Sequence, residues 1–594
     1  MFSGCAGVWW QPSKSLSKSC LEKPAPSTCF GRAFYWLNKK VRGATLALLN
    51  HRRSTTYGNC TWRASETAYG EQRVLNIHEL SKIDVDAFYG IEIEEWPRRI
   101  AEVAMWLMDH QMNIRLSEAL GQYYQRLPIE KSPTIVNSNS LRIDWQEILP
   151  NTKCSFILGN PPFVGKHLMS DSQSGDMEAI CGKVDGSGIL DYVTAWYFKA
   201  AQYMHNTQIE CAFVSTNSIT QGEQVGPLWN YLFKEYGVKI HFAHRTFSWT
   251  SEARGKAHVH VVIIGFGLSN RSRKVIYDYG ADATHPHVAV ARNISPYLVE
   301  GADLALTART KPIVSVPECQ YGNKPTDNGY LIVEEKDRQA FLNENPQARK
   351  YLRPLLCADE YLHNIPRWCL WLVDAPPQDI LNCTGLKKRV EAVRQFRLAS
   401  KKERTRKKAN EPALFAEIRQ PTSEFVIIPQ HSSETRYYIP FGYFSPEYVV
   451  HNSCTALPDA TPYHFGVISS SMHMAWVKQL CGRLESRLRY SNTLVYNNFP
   501  WPEANDRQQA RVSECSSAVL AERRALLDTG STLAEIYNPL VMPAVLLKAH
   551  RSLDRAVEKC YRTEPFVADR QRVEFLFQRY EMLVAPLLPA SRRR

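Results

Sequence analysis

The 594-residue sequence has no long apolar run and no closely paired cysteines. A membrane-spanning helix needs about 20 consecutive apolar residues, so no membrane partner is expected. The 15 cysteines are scattered singly, without a Cys-x-x-Cys pair, which argues against a disulfide framework or a zinc site of regular spacing. The start also lacks a clean secretory signal, and the cytoplasm is the expected location.

Composition indicates a folded protein of several domains. Apolar residues make up 44% and charged residues 22% of the chain, which are ordinary values for globular protein. A chain of this length is expected to form roughly three to five domains. Its formal net charge of +13 suits a polyanionic partner such as nucleic acid, although charge alone identifies none.

Residues 1–71 differ from the rest of the sequence. No helical or strand period runs through them, and one acid, Glu22, precedes Glu66. An acid-poor, Arg- and Ser-rich leader is typical of an organellar transit peptide or of a disordered basic arm. The basic residues before Glu66 are Lys14, Lys18, Lys23, Arg32, Lys39, Lys40, Arg42, Arg52, Arg53 and Arg63.

From about Gln72 onward, strand and helix signals alternate, which predicts a parallel sheet with covering helices. Pro97 suits the first turn of a helix. Apolar residues at helical spacing follow it along one face, namely Ile100, Val103, Ala104, Leu107 and Met108. Strands are predicted at 88–92, 155–158, 211–215 and 258–266.

Three later segments have distinct patterns. Residues 386–410 are basic and helical in pattern, and their simplest interpretation is a solvated face or a linker. Residues 425–448 are rich in aromatic and β-branched residues, which indicates a small mixed or β domain. The end is helical, with one apolar face from Leu546 to Tyr561 and another from Val573 to Val584.

The segment Leu158–Phe163 carries the sharpest chemical signal. After a predicted strand and Gly159 come Asn160, Pro161, Pro162 and Phe163. Two successive prolines donate no backbone hydrogen bond and stiffen the loop. The acceptors that remain are the side-chain oxygen of Asn160 and the carbonyl of Pro161. A rigid turn without catalytic function is the alternative, but ligands of open α/β sheets bind at this edge.

Such a pair of acceptors suits an aromatic amine. The lone pair of adenine N6 is delocalised into the ring, and acceptors that grip its two hydrogens favour a pyramidal, nucleophilic nitrogen. The methyl donor then needs only in-line placement. Phe163 could stack on a base taken out of the duplex.

The Asn-Pro-Pro-Phe segment resembles the catalytic motif of amino-group DNA methyltransferases, in which Asn in first place indicates an adenine enzyme. Residues 72–594 resemble more closely the MmeI-like branch of type II restriction-modification enzymes, through segments 89–95, 159–166, 215–219 and 490–502. The resemblance implies S-adenosylmethionine as cofactor, double-stranded DNA as partner and the four residues Asn160, Pro161, Pro162 and Phe163 as the catalytic loop.

The resemblance also implies cofactor contacts. Glu92 matches the acidic residue that accepts hydrogen bonds from the ribose hydroxyls, although Glu94 or Glu95 could serve instead. Asn139 matches the polar residue against the cofactor adenine, and a loop-capping role fits it equally. Asp191 opens a helix that would line the cofactor pocket, and it also fits a helix cap.

Phe247 and Trp249 resemble a later motif near the target base, and buried packing explains them equally well. His258 and His260 share a strand face, but no further ligand pattern accompanies them. We therefore interpret both histidines as structural and expect no metal site.

The family pattern fails in one place. A glycine-rich cofactor loop of the form Asp-Pro-Ala-Cys-Gly-Ser-Gly should precede Glu92, and it is not recognisable in the sequence. Our hypothesis is that residues 1–71 are translated out of frame and replace the first strand and this loop. The upstream nuclease domain of the family is not recognisable either. We therefore expect no cleavage by this chain alone, and a separate restriction endonuclease subunit is a conceivable partner.

The expected fold is α/β, a doubly wound, mostly parallel sheet with an α+β target-recognition domain and a helical C-terminal domain. The expected domains are a basic leader at 1–71, a catalytic domain at 72–290, a target-recognition domain at 291–505 and a helical domain at 506–594. The expected function is adenine-N6 methylation of DNA within a restriction-modification system. Two alternatives remain: a catalytically inactive DNA-binding remnant, and a methyltransferase acting on RNA or on a protein amide.

Overall fold

The computed structural model describes residues 46–50, 84–120, 131–249, 259–280, 285–484 and 486–585. The predicted leader, 1–71, lies outside this part of the chain except for 46–50. In the described ranges, no helix is both long and apolar enough to cross a membrane. The chain divides into two compact units. The first includes residues up to Val184, Asp191–Thr216 and Leu232–Arg292, and the second includes Asp185–Leu190, Asn217–Tyr231 and residues from Asn293 onward.

A nine-stranded sheet forms the first unit. Its strands are β1 (Leu46–Asn50), β2 (Phe88–Glu92), β3 (Thr134–Asn137), β4 (Cys154–Gly159), β5 (Glu210–Thr216), β6 (Lys239–Trp249), β7 (Val259–Gly267), β8 (Lys274–Asp278) and β9 (His287–Ala291). Their order is β3-β2-β1-β4-β5-β7-β6-β8-β9. Strands β2, β3, β4, β5, β6 and β8 run one way and β1, β7 and β9 the other. Six of these nine strands thus share one direction, as expected for a doubly wound α/β fold, but three of the eight neighbouring pairs are parallel and five antiparallel, so the sheet is mixed.

The four predicted strands correspond to β2, β4, β5 and β7. Consecutive residues of β5 and β7 are buried, not only alternate ones. A strand that is buried on both sides in this way lies in a sheet whose two faces are both covered. On one face, Ala212 and Val214 pack in a core cluster with Val261 and Ile263. On the other face, the ring of Tyr197 stacks on Phe266 with 5.3 Å between ring centroids.

Strand β1 lies at the centre of the sheet and runs antiparallel to both of its neighbours. Its first residue, Leu46, pairs with Ile91 of β2 and with Gly159 of β4. The chain therefore enters β1 at the edge where β2 and β4 end. A strand was not expected within residues 1–71, and for 46–50 that expectation is wrong.

The helices among these strands are α1 (Glu95–Leu120), α2 (Trp145–Ile148), α3 (Asp171–Cys181), α4 (Thr194–Tyr203) and α5 (Val225–Tyr236). The helix predicted at Pro97 is confirmed as α1, which begins two residues earlier. Its predicted apolar stripe is largely exposed: Ile100, Val103 and Leu107 are 45%, 51% and 56% exposed, whereas Ala101 is buried. Helical spacing alone therefore did not identify the buried face.

The second unit combines three small sheets with helices. Its strands are β10 (Gln320–Tyr321), β11 (Ile332–Glu334), β12 (Leu352–Leu356), β13 (Arg367–Leu370), β14 (Phe425–Pro429), β15 (His431–Ser432), β16 (Gly442–Phe444), β17 (Val449–Val450), β18 (Cys454–Pro458), β19 (Gly482–Leu484) and β20 (Arg487–Arg489). The sheet orders are β10-β18-β14-β16, β11-β13-β12-β17 and β15-β20-β19. These short strands agree with the β character predicted for 425–448.

The helices of this unit are α6 (Glu335–Glu344), α7 (Ala358–His363), α8 (Pro377–Asn382), α9 (Thr384–Leu398), α10 (Glu403–Lys407), α11 (Pro462–Ile468), α12 (Ser471–Leu480), α13 (Asp506–Asp528), α14 (Leu533–Ile536), α15 (Ala544–Tyr561) and α16 (Asp569–Val584). The predicted apolar faces near the end are buried. They comprise Leu546, His550, Leu553 and Val557 on α15, and Val573, Leu576, Phe577, Tyr580 and Val584 on α16.

A buried arginine organises the basic segment 386–410. Arg397 of α9 is 0% exposed. Its guanidinium donates five hydrogen bonds of 2.7–3.1 Å to backbone carbonyls, those of Pro325, Thr326, Lys408, Glu411 and Leu414. Arginine has five N–H donors, so this number of bonds matches its full capacity. The interpretation of the segment as a solvated face or linker is therefore wrong at Arg397, which ties α9 to the chain beyond α10.

We predict that Arg397→Met destabilises this unit, because five buried or partly buried hydrogen bonds to backbone carbonyls are lost. An unsatisfied buried polar group costs about 1–3 kcal/mol, and partial rearrangement leaves a net loss of at least about 3 kcal/mol. The midpoint of thermal unfolding should fall by roughly 6–12 °C. The control, Arg394→Met, changes an exposed arginine of the same helix and should shift the midpoint by no more than about 2 °C. Equal shifts in both variants would contradict this role.

Candidate active site

Three strand ends meet at one edge of the first unit's sheet. Strands β2 and β3 are parallel, with Glu92 opposite Asn137, and β4 ends in the same direction at Gly159. The Asn137 side-chain nitrogen donates to the carbonyls of Glu92 and Ile93, at 3.1 and 3.0 Å. The segments that follow these strands therefore leave the sheet at the same edge, which is where ligands bind in open α/β sheets.

The loop after β4 presents a buried acceptor without a donor. Asn160 Oδ1 is buried, and no residue in the described part of the chain donates a hydrogen bond to it. Leaving such an acceptor unpaired costs free energy comparable to a lost hydrogen bond. Pro161 is buried and Pro162 is half-buried, and neither has an N–H that could turn back to the amide oxygen.

Two hydrogen bonds hold the far end of this loop. The Lys166 N–H donates to Asp191 Oδ1 at 2.9 Å, and the Tyr192 N–H donates to the Val164 carbonyl at 3.0 Å. The helix that follows, α4, begins at Thr194, and its cap residue is Val193. The Asp191 carboxylate thus lies three residues before the helix and forms a hydrogen bond with the loop.

Glu92 is the buried acid at the end of β2, with 2% of its surface exposed. Its Oε1 accepts from the Ile93 N–H at 3.0 Å and from the Glu94 N–H at 3.5 Å. Glu94 is exposed, and Glu95 forms ion pairs with arginines of α1. Of the three acids considered from the sequence, Glu92 is the one that the structure buries at the sheet edge.

Asn139 lies in the segment after β3 with both ends of its amide engaged. Its Nδ2 donates to Asp176 Oδ2 at 3.1 Å, and its Oδ1 accepts from the Leu141 N–H at 2.9 Å. The bond to Leu141 is the loop-capping interaction considered from the sequence. The carboxylate of Asp176 was not anticipated, because it lies 37 residues further along the chain.

An apolar wall lies beside the Asn160 loop. Phe163 and Phe247 both pack, partly buried, against one core cluster that includes Leu158 and Val261. The ring of Tyr279 lies next to Phe247, with 4.8 Å between centroids. Trp249 belongs to β6, and its side chain lies outside what the structure describes. The sequence motif indicated Phe247, which packs against the same cluster as Phe163. It did not include Tyr279.

A neutral histidine supports this wall. His244 stacks on Tyr277 with 4.3 Å between centroids, and its Nδ1 shares a 2.7 Å hydrogen bond with the Tyr279 hydroxyl. Burial lowers the pKa of His244 to about 4, so the imidazole is uncharged at neutral pH. The wall therefore presents aromatic surface with no cation at His244.

Among the residues that the structure describes, no group of three His, Cys, Asp or Glu side chains is arranged to hold a metal ion. His260 is exposed on β7, and His258 lies outside the described ranges.

Comparison with known proteins gives three consecutive family matches. The model "MmeI, DNA-methyltransferase domain" matches residues 50–278, "MmeI, target recognition domain" matches 300–503 and "MmeI, C-terminal domain" matches 504–588. Together these models span most of the chain.

Two relatives are similar over most of this chain. A solved structure of the type IIL restriction-modification enzyme MmeI in complex with DNA is 44% identical, with a TM-score of 0.75 over 87% of this chain and 69% of that chain. DNA methyltransferase A of Bacillus subtilis (strain 168) is 36% identical over 503 residues, which is 84% of this chain. The chain spans 56% of the length of that Bacillus relative.

We predict that Asp191→Ala releases the loop after β4. The Lys166 N–H loses a carboxylate acceptor, a bond to a charged group worth about 1.5–3 kcal/mol, so its hydrogen exchange should accelerate roughly tenfold or more. Asp191→Asn keeps an acceptor oxygen and should retain most of the protection. Mass spectrometry on peptides spanning 160–170 measures both. Unchanged exchange in Asp191→Ala would show that this bond does not hold the loop.

Proposed function

Because this chain belongs to the MmeI family of DNA methyltransferases, we propose that it transfers a methyl group from S-adenosylmethionine to the N6 amino group of adenine in DNA. The observation that carries this proposal is the buried Asn160 Oδ1, to which no described residue donates a hydrogen bond. An exocyclic amine has two N–H donors, and one of them would satisfy this oxygen. The second acceptor in the proposal is the Pro161 carbonyl.

The proposed role of the two acceptors is to change the geometry at nitrogen. The lone pair of N6 is delocalised into the adenine ring, and methylation requires it to localise on nitrogen. Acceptors that hold both hydrogens favour the pyramidal nitrogen and the positive charge that develops as the methyl group arrives. Fixed acceptors need no reorganisation at that moment, which makes them effective in a site that excludes water.

The aromatic wall supports action on a base that has left the duplex. An enzyme reaches a stacked base by turning it into a pocket and stacking it on aromatic or apolar side chains. Phe163 and Phe247 pack on one core cluster, so the surface they offer is held by the sheet. We assign them as base contacts. Trp249 is also proposed as a base contact, on the sequence motif alone.

The polar residues at the sheet edge fit one part of the cofactor. Glu92 is proposed to accept hydrogen bonds from the ribose hydroxyls, because a buried carboxylate at a strand end suits that role in doubly wound folds. Asn139 is proposed to contact the adenine ring. When bound, the sulfonium supplies an activated methyl group. Asp191 is proposed to act through the loop it holds. The catalytic loop, Glu92 and Asn139 thus form one side of the proposed site.

The methionine part of the cofactor has no comparable support in the described residues. Family members hold it with a glycine-rich loop that follows the first strand. Here β1 runs antiparallel and begins, with Leu46, at the edge where β2 and β4 end. This direction favours a second candidate function, a DNA-binding protein with little or no transferase activity, and the experiment below separates the two.

We propose the division of labour expected from the sequence: catalysis by 72–290, target recognition by 291–505 and a helical domain at 506–594. A basic surface in the second part supports contact with DNA phosphates. It is formed by exposed side chains of α9, of α10 and of the turn between them, and Arg397 ties α9 to the chain that follows α10. These side chains are Lys387, Lys388, Arg394, Lys401, Lys402, Arg404, Arg406 and Lys407.

Methyl transfer tests the main proposal. Labelled S-adenosylmethionine and unmethylated genomic DNA are incubated with the full chain or with Asn160→Ala, and the labelled nucleoside is identified. We expect label on N6 of adenine with the wild-type chain, and a reduction of about 10²-fold or more in the variant, as for other preorganised polar groups. Label on cytosine would contradict the adenine assignment. No label with DNA binding retained would favour the second candidate.

The basic surface makes a separate prediction. The triple variant Lys401→Gln, Lys402→Gln and Arg404→Gln should weaken binding to any DNA sequence, because each lost phosphate contact reduces the salt dependence of log K by about 0.9. The expected reduction is about 2–3 units. The control with the same loss of charge, Arg507→Gln, Arg511→Gln and Arg524→Gln, changes exposed residues of α13. Equal effects of the two triple variants would show a response to net charge alone.

A further inference from the structure

Asp176 of α3 is a buried carboxylate beside Asn139. Its side chain is 3% exposed. It accepts three hydrogen bonds, from Arg142 Nε at 2.6 Å, from the Tyr192 hydroxyl at 2.7 Å and from Asn139 Nδ2 at 3.1 Å. A buried charge is tolerated when donors of this kind surround it.

These donors come from both sides of the proposed site. Asn139 and Arg142 belong to the segment after β3. Tyr192 follows Asp191, and its backbone N–H donates to the carbonyl of Val164, the residue after the catalytic loop. Asp176 therefore connects, through one carboxylate, the segment proposed to contact the cofactor adenine and the segment that holds the Asn160 loop.

Asp176 also determines which way the Asn139 amide points. An ionised carboxylate can only accept hydrogen bonds, so the Asn139 nitrogen must face it. The Asn139 oxygen then faces the Leu141 N–H, at 2.9 Å. One N–H and one lone pair of the amide remain available. This donor and acceptor pair complements the edge of an adenine ring, as asparagine does when it binds adenine bidentately in DNA.

The ionised state of Asp176 is maintained by its donors. Burial on its own would raise the pKa of this carboxyl, but hydrogen bonds from Arg142, Tyr192 and Asn139 outweigh burial and hold the pKa below its usual value. The carboxylate is thus charged at neutral pH and cannot donate to Asn139. The amide orientation follows from this charge state.

We propose that Asp176 is a positioning residue of the cofactor site: it orients the Asn139 amide to bind an adenine ring and ties that amide to the segment that holds the catalytic loop. This inference rests on the proposed function, because the adenine ring is that of the S-adenosyl cofactor. A purely structural role would contribute to folding and leave the affinity of the folded protein for the cofactor unchanged.

Asp176→Asn tests the proposal with a side chain of nearly equal size. The amide of the new asparagine places its own N–H group against one of the three donors, where no hydrogen bond can form. It also removes the negative charge that orients the Asn139 amide. We expect binding of S-adenosylhomocysteine, measured by calorimetry on the full chain at 25 °C, to weaken about tenfold, which corresponds to about 1.4 kcal/mol. DNA affinity should stay within about twofold, because Asp176 is buried and has no proposed contact with DNA.

The matched control is Glu178→Gln, which neutralises an exposed acid of the same helix, α3. This variant loses one negative charge, as Asp176→Asn does, but it keeps the Asp176 carboxylate and its three donors, so affinity for S-adenosylhomocysteine should stay within about twofold. Equal affinity in Asp176→Asn and Glu178→Gln would overturn the proposal, even if the midpoint of unfolding falls in the former.

Hydrogen exchange separates this proposal from the proposed function. In the ligand-free chain, Asp176→Asn should accelerate exchange at the Leu141 N–H, whose acceptor is Asn139 Oδ1, whereas the control Glu178→Gln should not. Unchanged exchange at Leu141 in Asp176→Asn would overturn the orienting role, whatever the chain does with DNA. A wild-type chain that binds DNA but no S-adenosylhomocysteine would instead contradict the proposed function and, with it, the cofactor assignment of Asn139.

Discussion

The loop after β4 is stiffened by Pro161 and Pro162 but forms few backbone hydrogen bonds of its own, because neither proline has an N–H to donate. Contacts from elsewhere in the first unit therefore set its conformation. Phe163 packs on the core beneath the sheet edge, and Val164 and Lys166 bond to the segment that begins at Asp191. Asn160 Oδ1 is left buried with no donor among the described residues. The cost of that unpaired acceptor is borne by contacts on either side of it, an arrangement typical of functional sites.

The described residues at the sheet edge support one part of the proposed cofactor site more fully than the other. The carboxylate at the end of β2 and the amides after β3 are held by hydrogen bonds, and Asp176 links the segment after β3 to the segment that holds the loop after β4. Strand β1 between them runs against its neighbours, so the position of a glycine-rich loop after a parallel first strand has no equivalent in the described ranges. The proposed chemistry depends on the residues at the ends of β2, β3 and β4. Cofactor affinity depends on these residues and also on contacts to the methionine part of the cofactor.

The sequence predicted the parts of the molecule that local patterns control. Continuous apolar runs located β4, β5 and β7, and the stiff Asn-Pro-Pro-Phe segment located the loop, because two prolines restrict the backbone wherever they occur. Contacts between distant segments were not predictable. Arg397 looked like one charge in a basic stretch, yet it binds carbonyls up to 72 residues away. The stripe on α1 had the spacing of a buried face, and what covers a helix depends on packing that spacing does not encode. Asp176 and Tyr279 carried no sequence signal for the same reason.

The most direct test of the acceptor role compares two near-isosteric variants of Asn160 in single-turnover methyl transfer with saturating cofactor and DNA. Asn160→Asp keeps an acceptor oxygen, and Asn160→Leu removes it while preserving the shape of the side chain. The account predicts measurable transfer by the aspartate variant and a loss of about 10³-fold or more in the leucine variant, with DNA binding unchanged in both. Transfer by Asn160→Leu within about tenfold of the wild-type rate would contradict it, because the oxygen would then have no part in the reaction.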